Sequence, residues 1–158
     1  MRKSTALLAS ALALMLALAA LFVIGGTLSA RLSAASAGAT EHPQAFRAIR
    51  RMLAAGAAPQ RFDEAALDKD GDYRLEDVTV TLINRGLIDA EWLYVQVEGA
   101  PGDIAVYSIS GEGGTVPARG TAALNVKLIS HKDGGGPRVY HIQYYVYGMK
   151  RSIDVRQG

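Results

Sequence analysis

The sequence predicts a mainly β fold: a β-sandwich of six or seven short strands behind an N-terminal transmembrane helix and a short amphipathic helix. Three observations carry it. From Asp77 onward apolar and polar residues alternate with period two, the pattern of strands buried on one face. Clusters of Gly, Pro, Asn and Asp interrupt the alternation roughly every 8–12 residues. Ahead of it stands an Ala- and Leu-rich segment without that alternation.

The chain divides accordingly into residues 1–30, an anchor or signal segment; residues 31–67, a linker with a short helix; and residues 68–158, the β domain with an acidic loop at its start. Net charge is +2 over 158 residues, which gives no footprint for nucleic acid. There is no cysteine, so disulfides, catalytic thiols, Cys-ligated zinc and iron–sulfur clusters are excluded. A small exported domain then relies on sheet packing, a bound ion or assembly for its stability.

Arg2 and Lys3 precede an apolar run from Ala6 to Ile24, broken only by Ser10. At about 1.5 Å per residue, about 19 residues just cross a hydrocarbon core of roughly 30 Å. The basic pair holds the N-terminus in the cytoplasm and sends the rest of the chain outside. A retained single-pass anchor fits this pattern. So does a cleaved secretory signal, for which Leu32–Ala39 supplies small-x-small sites, one of them near Ala37. Both readings export the domain. The order Arg2-Lys3-Ser4 before an apolar helix resembles the leader of archaeal type IV pilins. That resemblance implies processing at Ser4 or Thr5 and a helix left on the mature subunit to pack into a filament.

Pro43 suits a first helical turn and Gly56 a C-terminal stop, bracketing a helix over Gln44–Ala55. Phe46, Ile49, Met52 and Leu53 share one stripe, while Arg47, Arg50 and Arg51 lie elsewhere. Such a helix rests on anionic headgroups or covers part of the sandwich. Ala57-Ala58-Pro59-Gln60 reads as a joint.

The acidic stretch Asp68–Asp77 resembles the calcium loop of EF-hands and dockerin repeats. Asp68, Asp70 and Asp72 fall at its first, third and fifth positions, Arg74 where a backbone carbonyl coordinates, and Glu76 at the ninth. The resemblance implies a structural Ca²⁺ held by Asp68, Asp70, Asp72, Arg74, Glu76 and Asp77, since this ion takes six to eight hard oxygens. Tyr73 replaces the usual glycine, and Thr79 stands where a bidentate carboxylate belongs. Without an ion, the stretch is an acidic turn leading into a strand.

Strands then follow in order. Val78, Val80 and Leu82 alternate with Thr79 and Thr81 up to Asn84-Arg85-Gly86. Glu91–Val97 turns Leu93, Val95 and Val97 one way and Trp92 and Tyr94 the other. Ile104–Ile109 forms a third run, and Pro117 confines Thr115–Ala118 to an edge. Thr121–Ile129 and Arg138–Tyr147 are the longest runs, the second with Tyr140, Ile142, Tyr144 and Val146 on one side. Gly148-Met149 fits a type II′ hairpin turn into Lys150–Arg156. Strands at this spacing point to an Ig-like sandwich. Val78–Gly86 and Val116–Thr121 resemble adhesion-type Ig-like domains of prokaryotic surface proteins, a likeness that implies a fold and no activity.

His42, His131 and His141 show no metal-ligand spacing, no serine sits in a nucleophile elbow, and the glycine runs lack the strand-to-helix context of phosphate loops. The chain is therefore not expected to be an enzyme. Tyr145 and Tyr147, with His141 and Gln143, form either an outward patch suited to a protein or glycan, or part of the core. The function expected is an extracytoplasmic, membrane-anchored structural or interaction protein, in a surface filament with copies of itself or other surface proteins. The alternative is a monomeric anchored module for a cell-wall, S-layer or glycan target.

Overall fold

The structure, a computed structural model, describes residues 10–20, 28–68 and 71–157. Residues 10–20 are helical and exposed; most of the anchor expected over residues 1–30 lies outside the described residues. Among the described residues no helix is long and apolar enough to cross a membrane.

The fold is mainly β. Among the described residues eight strands form two antiparallel sheets: β1 (Leu28–Gly38), β2 (Gln60–Arg61), β3 (Tyr73–Asn84), β4 (Glu91–Glu98), β5 (Asp103–Ser110), β6 (Thr121–His131), β7 (Arg138–Val146) and β8 (Met149–Gln157). The larger sheet runs β1-β3-β6-β5-β2 and the smaller β4-β7-β8. Period two decides which side chains meet between them. Val78, Val80 and Leu82 of β3 and Leu124, Val126 and Leu128 of β6 are fully buried against Leu93, Val95 and Val97 of β4 and Tyr140, Ile142 and Tyr144 of β7. Each such side chain contributes roughly 1.5–3 kcal/mol by leaving water.

A second apolar cluster lies on the outer face of the larger sheet. Helix α1 (Pro43–Ala54) starts with Pro43 in its first turn, where a missing N–H costs nothing. It ends in a Schellman pair: Gly56, at φ +65, donates to the Leu53 carbonyl and Ala57 to Met52. Its stripe of Phe46, Ile49 and Leu53 is buried against Tyr73, Leu75, Ile104, Ala105 and Ile129. The helix thus covers the sheet.

Three elements differ from the sequence expectation. Residues 28–38, read as the end of the anchor and the start of the linker, form β1, which pairs with β3 from Leu28↔Asn84 to Gly38↔Arg74. Its Ala and Ser side chains carry little strand propensity, so the pairing comes from β3. Strand β3 begins at Tyr73, inside the stretch read as a calcium loop, because Tyr73 and Leu75 face α1. The last hairpin turns at Tyr147-Gly148, one residue early. Both have positive φ, 52 and 71, which makes it type I′ in place of type II′.

Candidate functional site

The six residues of the expected calcium site go different ways. Asp68 and Asp72 are exposed; the Asp68 amide donates to the Tyr73 hydroxyl, and Asp72 pairs with Lys132 at 3.0 Å. Asp72 also raises the Lys132 pKa, chiefly through that hydrogen bond. Asp70 lies outside the described residues. Arg74, Glu76 and Asp77 are on extended β3, where neighbours point to opposite faces. Asp77 is on the outer face, 3.2 Å from Lys127 of its register partner strand. Glu76 is turned inward. Among the described residues no group of three metal-ligating side chains is assembled.

Glu76 belongs instead to a buried ion network. Both its carboxylate oxygens accept from Arg138, at 2.8 and 3.0 Å. Asp103 takes the rest of the guanidinium at 2.6 and 2.7 Å and also accepts from the Ala100 amide. Arg138 is only 3% exposed; the hydrogen bond to Asp103 is the main influence raising its pKa. Burial pushes the adjacent Tyr140 phenol up to about 12. Arg74 joins from the side, its Nε 3.2 Å from Glu76 without hydrogen-bond alignment, and its Nη2 donating to the Gly134 carbonyl. Gly102 and Gly134 close over this end: a Cβ on Gly102, at φ +87, would sit 2.6 Å from Gly134 Cα. The network ties β3 and β5 of one sheet to β7 of the other. Its role is structural.

The outer face of β4-β7-β8 is one surface left open for a partner, as is the polar part of the larger sheet's outer face beyond α1, around Thr79, Asn125 and Lys127. Among the described residues no helix covers the smaller sheet. Pairing places Gln96, His141 and Asp154 in one row and Tyr94, Gln143 and Ser152 in the next. Pro59, Gln60 and Glu112 wall it along β4, forming an open groove of about 430 Å³ with Tyr94, Gln96, His141 and Gln143. Two of these wall residues also cap the β4 edge: Gln60 exchanges hydrogen bonds with both backbone groups of Val97, and Glu112 accepts from the Val95 amide at 2.9 Å. That edge is thereby closed to another strand.

His141 is the titratable group of the face. Its Nδ1 lies 2.8 Å from Asp154 and its Nε2 3.6 Å from Glu98. The hydrogen bond to Asp154, then the two negative charges, raise its pKa above the ordinary imidazole value. The expectation for Tyr145 and Tyr147 divides: Tyr147 is 62% exposed, Tyr145 half-buried beside Trp92 and Tyr94. Sequence reasoning missed Gln60, Glu112 and Asp154, which reach the face from distant segments. Groove chemistry consists of amide, carboxylate and imidazole groups around one tyrosine ring. Such a set hydrogen-bonds and stacks; it holds no nucleophile with an adjacent base. No known family profile matches the chain, and no curated protein is similar enough in sequence to count as a relative.

Proposed function

We propose that this chain is a membrane-anchored extracytoplasmic interaction module, with an Ig-like β-sandwich that offers its β4-β7-β8 face to a surface glycan. One observation carries it: of the two outer sheet faces, the smaller sheet's has no helix over it among the described residues and bears a polar groove with an exposed aromatic ring, Tyr94. A hydroxyl-rich chain offers partners to Gln96 and Gln143, between walls held in place by the β4 backbone, and stacks on Tyr94. The order β1-β3-β6-β5 against β4-β7-β8 supports the Ig-like assignment, because it is that of a seven-stranded constant-type domain. The apolar run over residues 6–24 supports the anchor. Leu28 is buried and Ala30 and Leu32 pack on the core, so a cut near Ala37 would remove a strand of the fold; the mature N-terminus is expected at or before Leu28.

The test is retention of the full-length, detergent-solubilised protein on purified envelope polysaccharide. The intact protein is retained, and Tyr94→Ala with Gln143→Ala is not. Equal behaviour of the two, or no retention on any envelope fraction, would remove the glycan reading.

A second reading, a filament subunit, is favoured by β1. It is an edge strand of 11 residues with a single charge, Arg31, and no proline, so little blunts pairing with another copy. N-terminal mass spectrometry separates the two: the filament requires a start at Ser4 or Thr5.

A further inference from the structure

One end of the domain gathers its exposed apolar side chains. Leu28 opens β1 opposite Asn84, the last residue of β3, and Ile83 pairs with Thr121, the first of β6. Ala90, just before β4, bridges to Val116, and Val146 pairs with Met149 across the final turn. Topology therefore puts the start of β1, the connections 85–90 and 111–120, and the 147–148 turn at the same end. Outside residues 10–20, the large exposed apolar side chains among the described residues are Leu87, Trp92, Tyr94, Tyr147 and Met149. All but Tyr94 belong to that end, and Tyr94 follows one step along the outer face. Arg85, Arg119 and Lys150 are exposed among them; the acidic neighbours are Asp89, held by the Ala118 amide, Glu91, and Glu112, held by the Val95 amide. The opposite end carries charge: Asp68, Asp72, Lys132 and Asp133 are exposed there.

Backbone strain marks the same end. The non-glycine residues with positive φ are Trp92 (55), Arg119 (55) and Tyr147 (52). Trp92 sits at a bulge in β4, between Glu91 and Tyr94. At Tyr147 the type I′ turn requires it; at Trp92 and Arg119 such a conformation persists only where the surrounding structure fixes it. Here the side chains are an indole, a guanidinium and a phenol, the groups that prefer the membrane–water interface.

We infer that this end is seated in the lipid headgroup layer, with Leu87, Trp92, Tyr147 and Met149 entering it and Arg85, Arg119 and Lys150 meeting anionic phosphates. The inference rests on residues 6–24 spanning the bilayer. Only Gly25, Gly26 and Thr27 separate Ile24 from Leu28, and four residue steps reach at most about 14 Å. The headgroup layer is roughly 5–8 Å deep on each side, so a spanning run holds the Leu28 end against it. β1, about 36 Å long at 3.3 Å per residue, then carries α1 and its arginines to the far end. The groove of Tyr94 and His141 faces sideways above the surface.

Trp92 is the only tryptophan, so its emission reports the contact directly. The full chain is reconstituted in phosphatidylethanolamine–phosphatidylglycerol vesicles, with and without lipid brominated high on the acyl chain. Neutral acrylamide serves as the aqueous quencher. Expected are a blue-shifted emission, quenching by the brominated lipid, and acrylamide access reduced several-fold against the detergent-solubilised protein. The doubly reversed variant Arg85→Glu with Arg119→Glu, which leaves the apolar core untouched, regains much of that access. Full acrylamide access with no bromine quenching, in protein that resists alkaline extraction, overturns the seating and leaves the anchor standing. Loss of the chain from the vesicles on alkaline extraction overturns the anchor and the seating together.

Discussion

The two sheets turn different outer faces to their surroundings. On the larger sheet, α1 lays Phe46, Ile49 and Leu53 over Tyr73, Leu75 and Ile129; beyond the helix, the face is polar, with Thr79 bonded to Asn125 and Asp77 paired with Lys127. On the smaller sheet no helix among the described residues covers Tyr94, Gln96, His141 or Gln143. The same alternation produces both faces. What separates them is whether the outward phase carries apolar residues that another element must cover. Tyr73, Leu75 and Ile129 require a cover and obtain one; the outward residues of β4 and β7 are amphipathic enough to stay in water. The difference divides stability from recognition.

Four comparisons break or sharpen that contrast. The largest effect is expected within the layer that both faces enclose. Arg138→Ala leaves Glu76 and Asp103 buried without a counter-charge, which costs about 3–5 kcal/mol; urea unfolding measures it. Adding Glu76→Gln and Asp103→Asn is expected to recover part of the loss, and no recovery would mean that shape matters there more than charge. On the covered face, Ile49→Ala opens a cavity under α1 and costs about 2–4 kcal/mol. Tyr94→Ala on the bare face is expected to change stability by less than about 0.5 kcal/mol, and comparable losses at the two sites would erase the distinction.

The third effect depends on pH. Asp154 and Glu98 raise the His141 pKa above its unfolded value, so the pair stabilises the fold fully below the ordinary imidazole pKa. That contribution fades as pH rises through the raised value. His141→Asn should therefore lower the melting temperature at pH 5.5 and leave it unchanged at pH 9; a deficit that persists at pH 9 would assign His141 a packing role. Smallest is the response to calcium. With Arg74, Glu76 and Asp77 all on extended β3, Glu76 bound to Arg138 and Asp77 on the other face, only Asp68, Asp70 and Asp72 of the six expected ligands precede the strand. Millimolar calcium against chelator is expected to move the midpoint by less than about 1 °C, where a filled site would add more than 1 kcal/mol and several degrees. A shift of several degrees would restore the ion.

How much of this was legible follows from where each signal resides. Strands β4, β6 and β7 were readable because their inward residues repeat at period two within one segment. Helix α1 was readable from Pro43, Gly56 and its stripe. β1 was not, since Leu28–Gly38 is a run of small residues whose strand character comes from β3, more than thirty positions later. The acidic stretch was legible only in part for a similar reason: spacing inside Asp68–Asp77 suggests a loop, but β3 begins at Tyr73 and Glu76 is claimed by Arg138, 62 residues away. A local signal existed. Glu76 shares the inward phase of Val78 and Val80, and Arg138 that of Tyr140 and Ile142, and opposite charges in two inward phases imply a buried pair. Of the groove, His141 and Gln143 were legible as the outward phase of β7, whereas Gln60 and Glu112 were not, because they reach it from distant segments only through the fold.

Membrane topology is the claim on which the outward-facing groove depends, and one fractionation tests it. Spheroplasts bearing the native protein are treated with a membrane-impermeant amine reagent, lysed, and extracted at alkaline pH. The chain is predicted to stay with the membranes and to carry the label on exposed Lys132 and half-buried Lys127. Recovery of an unlabelled chain in the soluble cytosolic fraction, with residues 6–24 still attached, would contradict the account.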